Sequence, residues 1–349
     1  MNMRIAYIKT NCLKKVAASL LLLVLLTACG VEKEVVFNGT TMGTTYQIKI
    51  IAGYFKDTSG LKEKIDNRLQ AINRSMSTYL PDSEISRFNA IQDTREKLAV
   101  SDDFLQVMLA ARDIYEKTGG AWDGTIKPLV NLWGFGNTRQ THQVPDEAEI
   151  KKQMSWIGFQ HIDIFPEGYL QKKKSTIMLD LASIAKGYAV DQVSELLQTS
   201  GMENFLVEIG GEVFASGYRK DGKSWRVGIN QPSTSSSIAD VYQVAPLHNR
   251  AMATSGDYRN YFEAGGRRFS HIIDPRTGYP VNSNVVSVSI VADNCMVADG
   301  LATAIMVMGL EHGMALINSL KGVEGFIIVR KTDDVYVHYM TDAFRLLAP

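Results

Sequence analysis

An aspartate and a threonine stand four residues apart in an apolar stretch late in the chain. Asp299 and Thr303 lie within residues 293–309, where most neighbours are Ala, Gly, Leu, Val or Met. Such a stretch predicts a buried helix, on which residues four apart share one face. A buried carboxylate needs a partner because an unpaired charge is costly. Carboxylate and hydroxyl oxygens suit Mg²⁺, so the pair predicts a metal site. The structural alternative is an Asp that caps a neighbouring loop and a Thr that bonds to its own helix.

A single lysine occupies the first turn of another predicted helix. Lys186 follows small residues in the segment 179–191, after a predicted short strand over 176–181. The N-terminus of a helix carries partial positive charge, so a cation is disfavoured there unless an anion lies in front of it. Its free N–H groups also attract anions. The junction therefore predicts a phosphate-facing site. The alternative is a surface lysine beside an ordinary packing seam.

Aromatic residues and one histidine could add contacts to such a site. Tyr79 follows a predicted helix, where it could stack on a planar ligand or pack in the core. Residues 121–136 hold two Trp and a Phe among glycines, which predicts either an ordered loop around a flat ligand or a hydrophobic plug. His271 falls in a predicted strand over 267–273, before a tight turn. A strand histidine is usually structural, but this turn leaves backbone free for polar ligands.

The remaining pattern predicts the elements that would hold these residues in place. Apolar periodicity and capping residues predict helices over 58–76, 101–118, 145–154 and 310–320, and alternation predicts strands over 45–50, 161–174 (a pair), 205–215 (a hairpin turning at Gly210–Gly211), 225–229, 241–244, 285–292 and 325–340 (a pair). Neither an internal repeat nor a linker divides the chain. The sequence therefore predicts one body, with 45% hydrophobic residues available for a large core.

The charge balance disfavours one class of partner. Lys plus Arg and Asp plus Glu both number 37. Residues 1–28 hold four basic residues and no acid, so the remainder carries 33 basic against 37 acidic groups. A slightly acidic body does not favour a nucleic-acid polyanion as partner.

The N-terminus has the pattern of an export signal. Basic residues precede a short apolar run over 16–26, and the segment ends in Leu26-Thr27-Ala28-Cys29. This end resembles the lipobox of bacterial lipoproteins, in which Cys29 is acylated and becomes the new N-terminus. We therefore expect a signal peptide over 1–28, a lipidated tether over 29–37 and a catalytic body over 38–349. The alternative is an ordinary signal peptide with an incidental cysteine.

The cysteine count agrees with this processing. Cys12 would be lost with the signal and Cys29 acylated, leaving Cys295. An intramolecular disulfide is then excluded, even in an oxidising compartment. The expected location is the bacterial cell envelope, with the body facing the periplasm. By analogy with lipoprotein sorting, Gly30 favours the outer membrane.

Several motifs in order resemble those of the ApbE-type FAD:protein FMN transferases over essentially the whole mature chain. They are the residues 41–44, 76–79, 83–89, 118–123, 128–136, 179–191, 210–211, 254–258, 271–278 and 298–304. Singly each motif is weak, whereas together they are specific. The resemblance implies an α+β, T-fold-related single catalytic body, with mixed or antiparallel sheets flanked by helices.

The resemblance also implies an activity: Mg²⁺-dependent transfer of the FMN half of FAD to a Thr or Ser hydroxyl of a target protein, with release of AMP. The target would be a membrane or periplasmic redox subunit. By position, the residues that match the family's FAD pocket are Met42, Tyr79, Gly120, Ala121, Trp122, Asp180, Lys186 and His271. Asp299 and Thr303 match its metal ligands, together with a backbone oxygen at or beside Ser183. His271 is the expected proton acceptor, and a metal-bound Asp299 is the alternative. The family often has Gly where this chain has Ala182 and Ser183.

Two other functions fit parts of the pattern. A Mg²⁺-dependent FAD pyrophosphatase would use the same residues with water in place of the protein hydroxyl. A non-catalytic flavin-binding lipoprotein would store or deliver FAD, although buried metal ligands argue against pure storage. A periplasmic solute-binding lipoprotein is disfavoured because the chain shows no two-lobed α/β repetition.

Overall fold

A computed structural model describes residues 31–136, 143–232, 240–258, 260–332 and 335–347. The predicted signal peptide and Cys29 lie outside the described residues. The strands within them are β1 (Glu32–Thr41), β2 (Thr44–Gly53), β3 (Lys97–Ala99), β4 (Ile162–Phe165), β5 (Tyr169–Lys172), β6 (Asn204–Ile209), β7 (Glu212–Ser216), β8 (Trp225–Asn230), β9 (Val241–Leu247), β10 (Arg250–Gly256), β11 (Tyr261–Ala264), β12 (Arg267–Ser270), β13 (Val285–Ala292), β14 (Glu324–Thr332) and β15 (Val335–Met340). The helices are α1 (Leu61–Met76), α2 (Glu84–Ala90), α3 (Asp102–Lys117), α4 (Lys127–Leu132), α5 (Glu147–Met154), α6 (Ala182–Thr199), α7 (Cys295–Ser319) and α8 (Asp342–Leu347).

One eight-stranded antiparallel sheet organises the described chain. Its order is β1-β2-β6-β7-β10-β13-β14-β15. The inner strand β13 is buried at every position, which explains why its sequence consists of small and β-branched residues and holds no charged side chain. This sheet and the helices on it confirm the predicted class of antiparallel sheets flanked by helices.

Each face of the sheet is covered by a different layer. The helices α1, α3, α6 and α7 cover one face and enclose the main core, which includes Ile65, Ile184, Val190 and Ile305. The β8–β9 hairpin and α8 cover the other face around Trp225. A smaller cluster around Trp133 joins α4 and α5 to β11 and β12.

The long helix α7 carries the predicted metal ligands. Among the described residues it is the one helix long and apolar enough to meet the length and composition requirement for a membrane span, with a mean hydropathy of 1.5. A core helix meets the same requirement, and α7 packs on α6, β10 and β13. Its backbone leaves helical geometry at Gly309, where φ is +78°. This break separates the two helices that the sequence predicts over 293–309 and 310–320.

The two ends of the sheet have different roles. At one end lie the β1–β2 turn, where Thr41 pairs with Thr44, and the β6–β7 turn at Gly210–Gly211. The C-terminal end of β10 lies there as well, with Gly256 paired to Ser287. At the opposite end β1 starts and β2 stops, with Glu32 paired to Gly53. We refer to these as the turn end and the tether end.

Three predicted segments differ in the structure. Residues 176–181 are not a strand. The Leu179 N–H donates to Asn89 Oδ1 at 2.6 Å and the Leu179 carbonyl accepts from Asn89 Nδ2 at 2.9 Å, so both backbone groups bind a side chain rather than a neighbouring strand. Residues 32–37, which fall within the predicted tether over 29–37, pair with β2 as part of β1. The predicted loop over 121–136 contains the short helix α4.

Most other elements are confirmed within a few residues. The hairpin at Gly210–Gly211, the pairs β4–β5 and β14–β15, and the helices α1, α3 and α5 lie where the pattern predicts them. Ser101 caps α3 by accepting a hydrogen bond from Phe104 N. The predicted strand over 267–273 is shorter, because β12 ends at Ser270.

Candidate active site

A cavity of about 500 Å³ opens at the turn end of the main sheet. Its volume lies within the range of small-molecule sites. The predicted residues that line it are Tyr79, Ala121, Trp122, Asp180, Ser183, Lys186, His271, Asp299 and Thr303. Residues more than 200 positions apart in the chain therefore meet in one cavity.

Lys186 forms an ion pair that the sequence did not predict. Its Nζ lies 2.6 Å from Glu212 Oε1, and the side chain of Glu212 is 3% exposed. Desolvation works to lower the pKa of Lys186, but the carboxylates of Glu212 and Asp299 outweigh it and raise this pKa above its usual value. Lys186 is therefore charged at neutral pH. The anion that the sequence predicts in front of Lys186 is therefore, at least in part, the Glu212 carboxylate.

The position of Glu212 depends on the β6–β7 turn. Gly210 adopts φ +63°, and a Cβ there would lie 2.8 Å from Thr44 Cγ2 and 3.4 Å from Lys186 Cδ. A residue with a side chain would be strained at this φ and would clash with Thr44. The glycine lets the hairpin approach Lys186, so that Glu212, the first residue of β7, reaches its amine.

Asp299 is almost fully buried where α6 crosses α7. Its Oδ2 accepts a hydrogen bond of 3.0 Å from Gly187 N. In a regular helix that N–H would bind the Ser183 carbonyl, so donation to Asp299 competes with the helical bond. Burial raises the pKa of Asp299, and the Lys186 charge and the Gly187 bond oppose this rise. The Asp299 carboxylate on α7 thus faces the first turn of α6, which contains Ser183.

The Thr303 hydroxyl forms a hydrogen bond to a residue outside its own helix. Its Oγ1 lies 2.9 Å from Ser255 Oγ on β10, so the alternative of a threonine bonded to its own helix is not what the structure shows. Ser255 therefore positions the Thr303 hydroxyl on the cavity wall.

These oxygen atoms fit a magnesium ion. No cluster of three or more His, Cys, Asp or Glu side chains that could hold a metal occurs in the part of the chain that the structure describes. Mg²⁺ needs fewer protein ligands, because it keeps several waters and binds one or two carboxylates plus substrate phosphates. Asp299, the Thr303 hydroxyl and the Ser183 carbonyl are all hard oxygen donors. Glu212 Oε2 is also buried, without a hydrogen-bond partner.

His271 lies on the cavity wall just after β12. Its backbone N donates to the Asn260 carbonyl at 3.1 Å, and its Nδ1 lies 3.0 Å from the same oxygen. A carbonyl only accepts, so Nδ1 carries the hydrogen and Nε2 keeps a lone pair. Desolvation and the nearby Lys186 charge lower the pKa of His271, although the Asn260 bond opposes them. The imidazole is thus neutral at neutral pH and able to accept a proton at Nε2.

The aromatic residues have two different roles. Trp122 is 2% exposed, and its Nε1 donates to Ser183 Oγ at 2.9 Å. Trp133 is also buried and donates to the Gly278 carbonyl. Both tryptophans of the segment 121–136 therefore plug the core, although Trp122 also borders the cavity. Tyr79 is 75% exposed and presents its ring at the cavity.

Two of the predicted FAD residues are not among those that line the cavity. Met42 occupies the β1–β2 turn with φ +50°, and Gly120 ends the loop after α3 with φ +77°. Asp180 does line it, and its Oδ1 accepts a hydrogen bond of 3.0 Å from Ala182 N at the start of α6.

Glu212 and Ser255 are site residues whose role the sequence pattern does not predict. A single acid at the start of an apolar strand, directly after paired glycines, was a usable signal for Glu212, because a buried carboxylate needs a partner. Ser255 lies in a motif that the resemblance covers, but nothing in its spacing points to Thr303.

Comparison with known proteins identifies the family. Residues 42–327 match the model of the ApbE family. The chain is 45% identical to a FAD:protein FMN transferase of Vibrio cholerae over 94% of this chain and 96% of that protein, and 39% identical to one of Haemophilus influenzae over 92% and 94%. Among solved structures, it resembles flavin transferase ApbE from Vibrio cholerae (TM-score 0.83, 42% identity, covering 91% of this chain and 100% of the other) and the apo form of Pseudomonas stutzeri flavinyl transferase ApbE (TM-score 0.81, 36% identity, 91% and 97%). The chain therefore belongs to the ApbE family.

Proposed function

We propose that this protein transfers the FMN half of FAD to a Thr or Ser hydroxyl of a target protein, with Mg²⁺ required and AMP released. One observation carries the proposal: a single cavity gathers Lys186, Asp299, Thr303 and His271. It does so in a chain whose relatives are named FAD:protein FMN transferases. A charged lysine, a buried carboxylate and a neutral imidazole are the groups that phosphoryl-type transfer uses.

The cavity offers separate contacts to the parts of FAD. The Lys186 ammonium and the start of α6 provide positive charge for the diphosphate. The exposed Tyr79 ring offers a face for stacking by a flat ring system. The Trp122 indole holds the Ser183 hydroxyl and so keeps the start of α6 in place for the nucleotide.

The residues that would hold Mg²⁺ are Asp299, Thr303 and the backbone oxygen of Ser183. When bound there, Mg²⁺ supplies neutralisation of the diphosphate charge. Ser255 keeps the Thr303 hydroxyl in place, and Gly187 does the same for one oxygen of Asp299. A tightly held carboxylate is a poor base, which leaves His271 as the proton acceptor.

The transfer itself is one displacement at phosphorus. The oxygen of the acceptor hydroxyl forms a bond to the phosphorus of the FMN half, and the bond from that phosphorus to the bridging oxygen breaks. AMP leaves with the bridging oxygen. The hydroxyl proton passes to His271 Nε2, since Nδ1 already carries a hydrogen. The chain itself provides no nucleophile in this scheme.

The substitution Asp299→Asn tests the metal site. Asparagine keeps an oxygen acceptor for Gly187 N but removes the charge, so we expect Mg²⁺-dependent transfer to fall by about 100-fold or more while thermal unfolding is little changed. The acceptor would be analysed by mass spectrometry for added FMN. Asp293→Asn, at an 82% exposed carboxylate near the same helix, is the matched control. Full activity of Asp299→Asn would refute the metal assignment.

The same assay separates the rival functions. A transferase adds the mass of FMN to the acceptor, whereas a pyrophosphatase releases free FMN and AMP at the same rate with or without acceptor. A storage protein binds FAD without AMP release. Transfer to the acceptor with little free FMN is the expected result.

We also propose that the protein is exported and anchored through acylated Cys29, with its body in the periplasm and a membrane or periplasmic redox subunit as target. The support is the sequence Leu26-Thr27-Ala28-Cys29 before the first strand. Cys295, the free cysteine among the described residues, is buried and therefore unsuited to acylation.

A further inference from the structure

An exposed aromatic pair lies at the tether end of the main sheet. Tyr54 is 59% exposed and Phe55 is 81% exposed, directly after β2. Their rings meet edge to face at a centroid distance of 5.4 Å. Val31, which is 52% exposed, accepts a hydrogen bond of 2.8 Å at its carbonyl from Tyr54 N. These three residues form one apolar projection, which we call the aromatic foot.

The aromatic foot adjoins the point where the chain would leave the membrane. Val31 is two residues after Cys29, the predicted site of acylation. After removal of residues 1–28, only Cys29 and Gly30 precede the foot, which is too little chain to cover it. An acyl chain on Cys29 would hold the foot within a few ångströms of the lipid headgroups, because two residues span at most about 7 Å.

A second exposed aromatic contact lies at the same end of the sheet. Tyr218, 47% exposed, stacks on His248 at 4.3 Å. Its N–H donates to Asn204 Oδ1, and Asn204 pairs with Ile51 near the end of β2. Tyrosine rings favour the interface between water and lipid, where an apolar body and a polar tip are both satisfied.

Charge around the foot indicates how it would bind. The charged residues beside the foot and Tyr218 in the sequence are nearly balanced, with five bases against four acids: Lys33, Lys56, Arg219, Lys220 and Lys223 against Glu32, Glu34, Asp57 and Asp221. A net charge of about +1 provides little attraction to anionic lipid, so contact with the bilayer must come mainly from aromatic and aliphatic burial and should change little with salt.

We propose that the aromatic foot seats the anchored protein on the phospholipid surface, with the catalytic cavity at the far end of the sheet. The ten residues of β1 separate the two ends by roughly 33 Å at about 3.3 Å per residue. The cavity then faces away from the bilayer, toward an acceptor hydroxyl held about that far from the lipid surface. This inference rests on the proposed acylation of Cys29 and is independent of the proposed chemistry.

Spin labels at the two ends of the sheet test the inference. The full, lipidated chain would carry a label at Phe55→Cys or at Val335→Cys and be reconstituted in phosphatidylethanolamine and phosphatidylglycerol vesicles. Val335 is a matched control because it is 50% exposed and lies at the turn end. The native Cys295 is buried and acylated Cys29 has no free thiol. We expect the label at 55 to collide several times more often with lipid-soluble oxygen than with a water-soluble nickel chelate, and the label at 335 to show the reverse.

The other outcomes each overturn the proposal in a recognisable way. If mass spectrometry shows the lipid on Cys29 but both labels face water, the seating is refuted while the anchor stands. If the label at 55 is shielded from both oxygen and nickel, a protein surface such as a second copy covers the foot, and the bilayer is not its partner. If Cys29 carries no lipid, the anchoring and the seating fail together, and the flavin-transfer assay still reports on the chemistry.

Discussion

At the scale of single residues, the state of His271 decides whether the site can accept a proton. Its Nδ1 is committed to the Asn260 carbonyl, and desolvation lowers its pKa from the usual value near 6.5. The neutral form is the base, so activity is lost as pH falls through this lowered pKa. We expect the acid limb of the kcat/KM profile to lie below about pH 6.5.

The substitution His271→Gln checks this role. Glutamine cannot accept a proton at neutral pH, so kcat should fall by about 10²- to 10⁴-fold and the acid limb should disappear. His161→Gln provides the control, because the pKa of His161 is also lowered by desolvation but this residue does not line the cavity. An unchanged acid limb in His271→Gln would assign the base to another group.

Glu212 sets the charge around Lys186 and Asp299. Burial raises the pKa of Glu212, and the Lys186 ammonium 2.6 Å away opposes this rise by favouring the charged carboxylate. Glu212→Gln removes that negative charge while keeping an oxygen for the lysine, so the pocket becomes less negative. We expect the Mg²⁺ concentration for half-maximal activity to rise by about 10- to 100-fold, with no increase in the KM for FAD. Titration of activity with Mg²⁺ at saturating FAD measures the first quantity.

The neighbouring Glu208 offers a matched control for that change. It lies in the same hairpin, but its Oε1 accepts a hydrogen bond from Gly211 N rather than from Lys186. Glu208→Gln should leave the Mg²⁺ requirement near that of the parent protein. An equal shift in both variants would mean that the hairpin, and not the Glu212 charge, is responsible.

At the scale of elements, the crossing of α6 and α7 brings the metal ligands to the lysine. A Cβ on Gly187 would lie 2.4 Å from the Cys295 carbonyl oxygen, whereas one on Gly300 would meet only the end of the Ile114 side chain, at 2.5 Å. Backbone cannot give way as a flexible side chain can. Gly187→Ala should therefore force the helices apart.

We expect Gly187→Ala to lower the free energy of unfolding by about 1–3 kcal/mol. Mg²⁺-dependent activity should also fall by more than the decrease in the fraction of folded protein explains. Separation of the helices would lengthen the bond from Gly187 N to Asp299. Gly300→Ala, one residue from the same carboxylate, should cost less. Denaturant unfolding and Mg²⁺ titration of both variants provide the comparison, and equal behaviour would count against a special role for the crossing.

At the scale of the whole molecule, the sheet separates the proposed anchor from the site. Cys29→Ser, in a chain whose residues 1–28 are replaced by an ordinary cleaved export signal, should release the protein from the membrane fraction but leave kcat and the KM for FAD unchanged with a soluble acceptor peptide. Flavinylation of a membrane-embedded acceptor should slow, because the two partners no longer share a surface. Cys295→Ala, which keeps Cys29, is the control for loss of a thiol.

Fractionation followed by assay with both acceptors makes this measurement. Retention of Cys29→Ser in the membrane fraction would show that another segment holds the protein there. A loss of activity toward the soluble peptide would show instead that the two ends of the sheet are coupled.

The sequence by itself determined the features that depend on near neighbours along the chain. The spacing of Asp299 and Thr303 put them on one helical face, and paired glycines placed the β6–β7 turn, because helix and strand periods are local properties. The motifs in their order were enough for the family resemblance.

Only the tertiary structure decided which distant groups meet. Glu212 in front of Lys186 and Ser255 against Thr303 depend on how the hairpin and β10 pack on α6 and α7, and no local pattern encodes that packing. The same reason explains why the predicted strand over 176–181 is absent. The side chain of Asn89, 90 residues earlier, forms the hydrogen bonds to Leu179 that a neighbouring strand would otherwise form. A strand forms only where the fold provides a second strand to pair with it, and a buried ion pair forms only where the fold brings the opposite charge into contact.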